Sequence, residues 1–192
     1  MSESERAKWE DVHRGKPVGI AEPFLVEMIQ RIPRRGNALD VAAGRGRNAL
    51  AMARAGIRVV AVDFSETAMR TLADTARAEH LAVWPVVANL DSFHLKHESL
   101  DAIININFLD RALFAEFSRA LGPGGVLIAE TFTNEQASLG HPKDPRFLLG
   151  HGELKELAGG LEIEHYREGL VSYPDGTRAF RGSIVARKGK AI

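Results

Sequence analysis

The chain has 192 residues, of which 45% are hydrophobic and 26% are charged, as in an ordinary globular domain. Its 25 basic and 25 acidic side chains cancel, which disfavours a field that would attract nucleic acid or a membrane surface. The absence of cysteine excludes a disulfide framework, a cysteine zinc site and a cysteine nucleophile. The polar N-terminus lacks the apolar stretch of a signal peptide, so we expect a cytoplasmic protein.

The N-terminal part of the chain is predicted to be a tail followed by a helical segment. Residues 1–8 are expected to form a flexible tail, because they are polar and terminal. Residues 9–33 are expected to form a cap segment whose helix covers residues 22–32 and ends before a proline.

Residues 37–65 show the pattern strand, turn, helix, strand. A short apolar run ends at Asp40, a glycine turn follows at Gly44 and Gly46, and a β-branched run ends at Asp63. This order is typical of a right-handed βαβ unit, which binds ligands at the carboxyl ends of its strands.

The glycines and acidic residues of this unit indicate a site for an adenosine-containing ligand. Gly44 and Gly46 allow a sharp turn and close approach of a ligand, and Asp63, about 20 residues further on, can accept both hydroxyls of a ribose. Asp40 would repel a pyrophosphate but attract an ammonium or a sulfonium, although it could instead only cap the turn. The spacing Gly44-x-Gly46-x-x-Ala49 also fits a dinucleotide fingerprint, so an NAD(P)-binding oxidoreductase is an alternative.

The segments LDVAAGRGRNALAMARAG and VVAVDFS resemble motifs I and II of the class I S-adenosylmethionine-dependent methyltransferases. More narrowly, GRGRN, NFLDR at 107–111 and FLLGHGEL at 147–154 are similar to the tellurite-resistance methyltransferase-like branch. The resemblance implies S-adenosylmethionine as the cofactor, S-adenosylhomocysteine as the product and a small-molecule acceptor. A soft nucleophile of the tellurite, selenite or thiol type is the first hypothesis for that acceptor.

The resemblance also implies positions for the two ligands. The expected cofactor-binding residues are Asp40, Ala42, Gly44, Gly46, Asn48, Asp63, Phe64, Asn89, Leu90, Asp91 and Asn107. Asp91 could instead cap a short turn. Trp9 and His13 could cover the site and contact the substrate together with Phe108, or Trp9 could only anchor its segment to the core.

Further along, the pattern predicts alternating helices and strands and then a hairpin. Helices are expected over 66–80, 111–121 and 153–158, and strands over 82–88, 100–107, 126–133, 161–173 and 177–187. Pro85 places the third strand at an edge of the sheet, because proline cannot donate to a sheet ladder. Pro174-Asp175-Gly176 predicts the turn of a terminal antiparallel hairpin.

With the resemblance, these elements predict an α/β, Rossmann-like class I methyltransferase fold with helices on both faces. The expected sheet is seven-stranded and mostly parallel, in the order 3-2-1-4-5-7-6, with an antiparallel last strand. We expect residues 1–192 to form a single methyltransferase domain.

No residue of the sequence is an unmistakable catalytic base. The loop after the fifth strand carries His141, Arg146 and His151, which either contact an anionic acceptor or lie in solvent. A soft anion needs no base, whereas a hydroxyl or ammonium acceptor would need one, with His141, His151 or Tyr166 as candidates. The scattered histidines predict no metal site.

Two further readings stay open from the sequence. The first is a non-catalytic protein that binds S-adenosylmethionine. The second is a methyltransferase for RNA or protein. Class I enzymes that methylate amide or base nitrogens typically have an Asn or Asp followed by two prolines after the fourth strand, and the absence of these prolines after Asn107 disfavours that class. The sequence gives no indication of an oligomeric state.

Overall fold

The computed structural model describes residues 3–34, 36–173 and 175–190. The helices are α1 Glu3–His13, α2 Pro23–Met28, α3 Arg47–Arg54, α4 Glu66–Ala78, α5 Arg111–Ala120 and α6 Glu153–Leu157. The strands are β1 Asn37–Val41, β2 Arg58–Asp63, β3 Val83–Val87, β4 Leu100–Ile106, β5 Leu121–Phe132, β6 Glu162–Ser172 and β7 Arg178–Arg187. Short 3-10 turns lie at Ile29–Arg31, Leu90–Ser92, Asn134–Ser138 and Pro145–Phe147.

The seven strands form one sheet in the order β3-β2-β1-β4-β5-β7-β6, which confirms the predicted fold. The strands from β3 to β5 pair in parallel, while β7 is antiparallel to both β5 and β6. The carboxyl ends of β1, β2, β4 and β5 therefore lie along the same side of the sheet. A ligand crevice forms on that side of an open parallel sheet.

Helices cover both faces of this sheet. One face packs against α2, α3 and α4 through residues such as Phe24 and Leu50, and the other packs against α5 and α6 through residues such as Phe114. Strands that are buried on both faces are almost continuously apolar, so a charged residue within one needs a reason. Glu130 in β5 and Arg181 in β7 are two such residues. Within the described ranges, no helix combines the length and the apolarity needed to cross a bilayer.

Two helix starts follow directly from local sequence. The Ser65 hydroxyl caps α4 by accepting from the Ala68 amide at 3.1 Å. The Asp110 carboxylate caps α5 by accepting from the Ala112 amide at 3.0 Å. Serine and aspartate favour a helix start, because their side chains satisfy amides that have no partner within their own helix.

The N-terminal part of the chain differs from the prediction. Helix α1 occupies residues 3–13, which include most of the expected tail; residues 1 and 2 lie outside the described part. The helix expected over 22–32 is shorter, because α2 ends at Met28 and a 3-10 turn follows it. Helix α1 has few apolar residues, so apolar periodicity does not reveal it.

Two further boundaries also differ or lie partly outside the structure. Strand β5 begins at Leu121, not at residue 126, because Leu121 already pairs with Leu100 of β4 ahead of the glycine-rich segment. The terminal hairpin of β6 and β7 is present as predicted, while Pro174 in its turn lies outside the described residues.

Substitution of Gly46 by alanine should destabilise the fold more than the same change at Gly56. Both residues are left-handed, with φ of 80° and 86°, but only at Gly46 would an added Cβ lie 2.2 Å from the Leu72 side chain. We expect Gly46→Ala to lower the free energy of unfolding by about 2–4 kcal/mol, and Gly56→Ala by about 1 kcal/mol from strain alone. Urea denaturation measures both values; equal losses would contradict this reading of the turn.

Candidate active site

The glycine turn joins β1 to α3, and the Asp63 carboxylate at the end of β2 holds it. Asp63 Oδ2 accepts from the Gly44 amide at 2.8 Å, and Oδ1 accepts from the Ser65 amide at 2.9 Å. Ala42 has a φ of 51°, a conformation that persists in a non-glycine residue only where its surroundings fix it. A carboxylate has about four acceptor sites, so Asp63 retains capacity for a further donor.

Asp40 places a buried carboxyl group beneath the same turn. It is 1% exposed, and its Oδ2 has no hydrogen-bond partner in the part of the chain that the structure describes. Burial raises the pKa of Asp40 to about 7, against the lowering effects of the Ala49 amide and Arg47. An unused carboxyl oxygen that titrates near neutrality suits a cationic ligand group, which would favour its ionised form.

His13 at the end of α1 covers the glycine turn. Its Nδ1 lies 2.9 Å from Arg45 Nη1, and a Cβ added to Gly44 would lie 3.3 Å from its Cε1. Burial lowers the pKa of His13, although Asp63 acts in the opposite direction, so the neutral ring can accept from the Arg45 guanidinium. Trp9 stacks on His13 with the ring centroids 5.9 Å apart.

Residues 13–22, here called the N-terminal strap, are bound by side chains of the turn itself. Arg45 Nε donates to the Pro17 carbonyl at 2.8 Å. Arg47 Nη2 donates to Glu22 Oε2 at 2.7 Å, and Asn48 Oδ1 accepts from the Glu22 amide at 3.0 Å. The GRGRN sequence therefore holds the cover over the site as well as forming the turn.

Helix α1 docks onto the start of α4 through Glu10. The Glu10 carboxylate accepts from the Ser65 hydroxyl at 3.1 Å, the Glu66 amide at 2.7 Å and the Thr67 amide at 3.1 Å. A negative charge is favourable at a helix N-terminus, where amides lack partners within the helix. Desolvation acts to raise the pKa of Glu10, but the hydrogen bonds from these groups lower it to about 2, so the contact persists at neutral pH.

A second group of polar residues lies beside the carboxyl ends of β4 and β5. We call it the Arg181 cluster; its members are Glu22, Asn107, Glu130, Tyr173 and Arg181. Asn107 connects Glu22 to Arg181. Its Nδ2 donates to Glu22 Oε2 at 3.3 Å, and its Oδ1 accepts from the Arg181 guanidinium. The φ of Asn107 is 61°, the second strained non-glycine position at the ends of the central strands.

Glu130 and Arg181 lie on the neighbouring strands β5 and β7. Glu130 is 1% exposed and accepts from the Ser183 hydroxyl and from Arg167 Nη2, the latter at 3.3 Å. Burial raises the pKa of Glu130, while Ser183 and the nearby guanidinium groups act to lower it. The Arg181 guanidinium lies 3.8 Å from the centroid of the Phe132 ring.

The structure brings together only some of the predicted cofactor residues. Ala42, Gly44, Gly46 and Asp63 lie in or against the glycine turn, and the Asn89 side chain caps the following 3-10 turn by accepting from the Asp91 amide at 3.1 Å. The Leu90 side chain is buried in the core, Phe64 is half-buried, and Phe108 packs against the core beneath α5. Asn48 and Asn107 both bind Glu22 of the strap.

The three candidate bases do not lie in the Arg181 cluster. Tyr166 donates to Glu168, and His151 Nδ1 lies 2.5 Å from the other oxygen of that carboxylate. Tyr166 pairs with Ile184 and faces α6, opposite to the face of Glu130. Burial and Glu168 raise the pKa of Tyr166, so its hydroxyl keeps its proton. His141 is exposed in the loop after β5.

Sequence reasoning missed Glu22, Glu130, Tyr173 and Arg181. One signal could have revealed two of them: Glu130 is the single charged residue of β5, and Arg181 lies in the interior of β7, and the sheet order buries both strands. Arg146, the cationic candidate from the loop, instead binds Asp144 through Nη2 at 2.7 Å. In the described ranges, no group of three or more histidine and acidic side chains could hold a metal ion.

Comparisons with known proteins bear on this arrangement. Residues 38–125 match a family profile described as "Methyltransferase domain". The structure described as "Conversion of a Disulfide Bond into a Thioacetal Group during Echinomycin Biosynthesis" is 22% identical, with a TM-score of 0.74, and the match covers 96% of this chain and 92% of that one. No curated protein matches the chain.

Two further solved structures are similar. A SAM-dependent methyltransferase from Methanosarcina mazei is 20% identical, with a TM-score of 0.70, over 90% of this chain and 100% of that one. TehB from Haemophilus influenzae is 20% identical, with a TM-score of 0.74, over 88% of this chain and 62% of that one. At these identities the structural likeness shows the fold, while the matched profile covers β1 to β4 with the glycine turn and Asp63.

Substitution of Asp40 by asparagine should remove a pH dependence of stability. Asp40 ionises near 3.8 in an unfolded chain and near 7 in the fold, so the folded state holds this proton more tightly. Wild-type stability therefore falls as pH rises between these values, by at most about 1.4 kcal/mol per pH unit from this group. We expect Asp40→Asn to gain stability relative to wild type from pH 4.5 to 7.5, as measured by urea denaturation.

The matched control for this pH dependence is Asp74→Asn. The Asp74 side chain is 77% exposed on α4, so the difference between that variant and wild type should stay flat over the same pH range. Parallel pH curves for Asp40→Asn and wild type would contradict the assignment to Asp40.

Substitution of Arg47 by alanine should release the N-terminal strap. The Glu22 side chain is only 5% exposed, and it would lose its salt bridge to Arg47. Removing the partner of such a buried carboxylate costs about 1–3 kcal/mol, at the low end because Arg47 itself is partly exposed. Hydrogen exchange of amides in residues 13–28 should accelerate by roughly 5- to 100-fold. Arg70→Ala, which breaks the exposed Arg70–Glu66 pair, should leave those amides unchanged. Equal protection in both variants would refute this role of Arg47.

Proposed function

Since the chain is a class I methyltransferase that uses S-adenosylmethionine, we propose that it methylates a small soft nucleophile of the thiol, selenite or tellurite type. The observation that carries this proposal is the placement of the candidate bases. Tyr166 and His151 are both bound to Glu168, and Tyr166 lies on the face of the sheet opposite to that of Glu130. A soft nucleophile that reacts as an anion needs no base, whereas a hydroxyl acceptor does.

The N-terminal strap supports a small acceptor. It lies across the site through charged and amide hydrogen bonds from Arg45, Arg47 and Asn48. A macromolecular acceptor would have to displace these contacts, while a small molecule can be enclosed beneath them. One structural neighbour is consistent with a soft acceptor, since it is described by the conversion of a disulfide bond into a thioacetal group.

The residues at the glycine turn fit the cofactor. The unpaired Asp40 oxygen would bind near its ammonium group, and the remaining acceptor capacity of Asp63 suits the ribose hydroxyls. The bare backbone at Gly44 would allow close approach, and residues 89–91 would border the adenine. S-adenosylmethionine supplies a methyl group on a sulfonium; in transfer to a thiolate, the thiolate electron pair forms the new bond and the electrons of the broken bond stay on the donor sulfur.

The chain itself would contribute alignment and the exclusion of water. His13 and the strap cover the turn, so the bound ligands would be shielded from solvent. Holding two reactants in line and removing water from between them accelerates displacement without proton transfer by the protein. The proposed catalysis thus comes from the alignment of the two reactants and not from an acid or a base of the protein.

Calorimetric titration with S-adenosylmethionine, S-adenosylhomocysteine and NAD tests the cofactor site directly. We expect binding of the first two only, and a loss of about 10- to 100-fold in affinity for Asp63→Ala, because ribose contacts and the form of the turn are both lost. Asp74→Asn serves as the matched control, since that carboxylate is exposed and lies outside the turn. Preference for NAD would overturn the assignment.

A screen for methyl transfer tests the acceptor class. Thiols, selenite and tellurite are incubated with labelled S-adenosylmethionine, and methylated products are identified by mass spectrometry beside catechol and amine acceptors. Transfer to at least one of the soft nucleophiles is expected. Turnover of only hydroxyl or amine acceptors would contradict the proposal, and tight cofactor binding without any turnover would favour a non-catalytic binding protein.

A further inference from the structure

We propose that the Arg181 cluster binds an anionic group of the methyl acceptor, with Arg181 and Tyr173 as the donors. This inference rests on the proposed function, because it places the acceptor at the ends of β4 and β5. It adds a chemical requirement to that function: the acceptor carries a negative charge that the site recognises.

Among the described residues, the ion pairs around the cluster leave one guanidinium without a carboxylate partner. Three guanidinium groups, those of Arg47, Arg167 and Arg181, lie near the carboxylates of Glu22 and Glu130. Arg47 pairs with Glu22 at 2.7 Å, and Arg167 pairs with Glu130 at 3.3 Å. In the described part of the chain, no carboxylate lies within salt-bridge distance of Arg181, whose hydrogen-bond acceptor is the amide oxygen of Asn107.

A purely structural role for Arg181 has a weaker physical basis. Arg181 is 6% exposed, and the effective cost of burying an unpaired ion is several kcal/mol. The Phe132 ring at 3.8 Å and the Tyr173 ring at 6.0 Å offset part of that cost, but cation–π contacts contribute only about 1–2 kcal/mol. An anionic ligand would offset the remainder.

The cluster and the adjacent Arg167 also leave buried donor atoms without a partner in the described ranges. The Nε atoms of Arg181 and Arg167 and the hydroxyl of Tyr173 are buried and have no hydrogen-bond partner among the described residues. Desolvation raises the pKa of Tyr173, so this hydroxyl stays a donor although the Arg181 charge acts in the opposite direction. Carboxylate and oxyanion groups carry only acceptor atoms and therefore match such a set.

Asn107 marks the entrance to this group of donors. Its side chain is exposed, while Glu22 and Arg181, which it joins, are buried. Access to the unused donors beneath it would require Glu22 to release Asn107 and the strap to lift. An acceptor that binds Arg181 would then lie beside the end of β4, with the strap above it.

Two kinds of acceptor share this chemistry. In an inorganic chalcogen oxyanion, the charged group is part of the nucleophile; in a thiol that carries a carboxylate, the charge and the reacting sulfur are separate. We therefore test both kinds against a neutral thiol of the same length. The acceptors are 3-mercaptopropionate, 3-mercaptopropanol, selenite and tellurite.

The decisive measurement is kcat/KM for each acceptor with wild type and with Arg181→Gln. For wild type we expect kcat/KM for at least one kind of anionic acceptor to exceed that for 3-mercaptopropanol by about 10- to 100-fold. One or two charged hydrogen bonds contribute a preference of this size. Arg181→Gln should reduce that preference to within about twofold, with calorimetric affinity for S-adenosylmethionine unchanged.

Three further variants separate recognition from folding. Arg181→Lys should keep part of the preference, because it keeps the charge but not the planar donor geometry. Tyr173→Phe keeps the ring and should lower the preference by roughly 3- to 10-fold. Arg187→Gln in the same strand, where the native side chain binds Glu164, should leave the preference intact. If Arg181→Gln does not fold, Tyr173→Phe and Arg181→Lys carry the test.

Binding is measured without turnover by calorimetric titration of 3-(methylthio)propionate into the complex with S-adenosylhomocysteine. We expect wild type to bind it and Arg181→Gln to bind about 10-fold more weakly or not at all. Equal turnover of the charged and neutral thiols without oxyanion preference, or an anion preference unaffected by Arg181 and Tyr173, would overturn this inference and leave the proposed function standing. Failure to bind S-adenosylmethionine, or transfer only to hydroxyl and amine acceptors, would overturn the proposed function itself.

Discussion

The carboxylate of Asp63 fixes the carboxyl side of the sheet. By accepting from the amides of Gly44 and Ser65, it ties the turn after β1 to the start of α4. The fixed turn directs Arg45 and Arg47 toward the strap, and the fixed start of α4 receives Glu10 from α1. The ligand turn and its cover thus depend on one buried side chain, so loss of Asp63 would affect both.

The fold was predictable wherever its causes are local in the sequence. The βαβ pattern, Pro85 at the edge strand and the turn before β7 are short-range signals, and the caps of α4 and α5 each act within one helical turn. Helix α1 has a different cause. Glu10 contacts the Glu66 amide 56 residues away, and no apolar stripe marks the helix in advance.

The residues of the candidate site also fall into two groups, those that local sequence predicts and those that only long-range folding brings together. The turn and Asp63 lie within one stretch of sequence, so spacing was sufficient to predict them. Glu22, Asn107 and Arg181 meet only because the strap folds back over the sheet and β7 inserts beside β5. Asn48 was expected at the cofactor, but its amide oxygen accepts from the strap, a contact that spacing cannot reveal.

Glu22 links the two halves of the proposed reaction. Its carboxylate accepts from Arg47 on the side of the glycine turn and from Asn107 on the side of the Arg181 cluster. The first half carries the acidic side chains Asp40 and Asp63, which suit a cationic donor, and the second carries Arg181, a guanidinium without a carboxylate partner among the described residues, which suits an anion. Methyl transfer from a sulfonium to an anionic nucleophile removes one positive and one negative charge, so water that solvates the reacting atoms would slow it. A strap whose closure depends on groups from both halves would exclude that water once both sites are in their bound form.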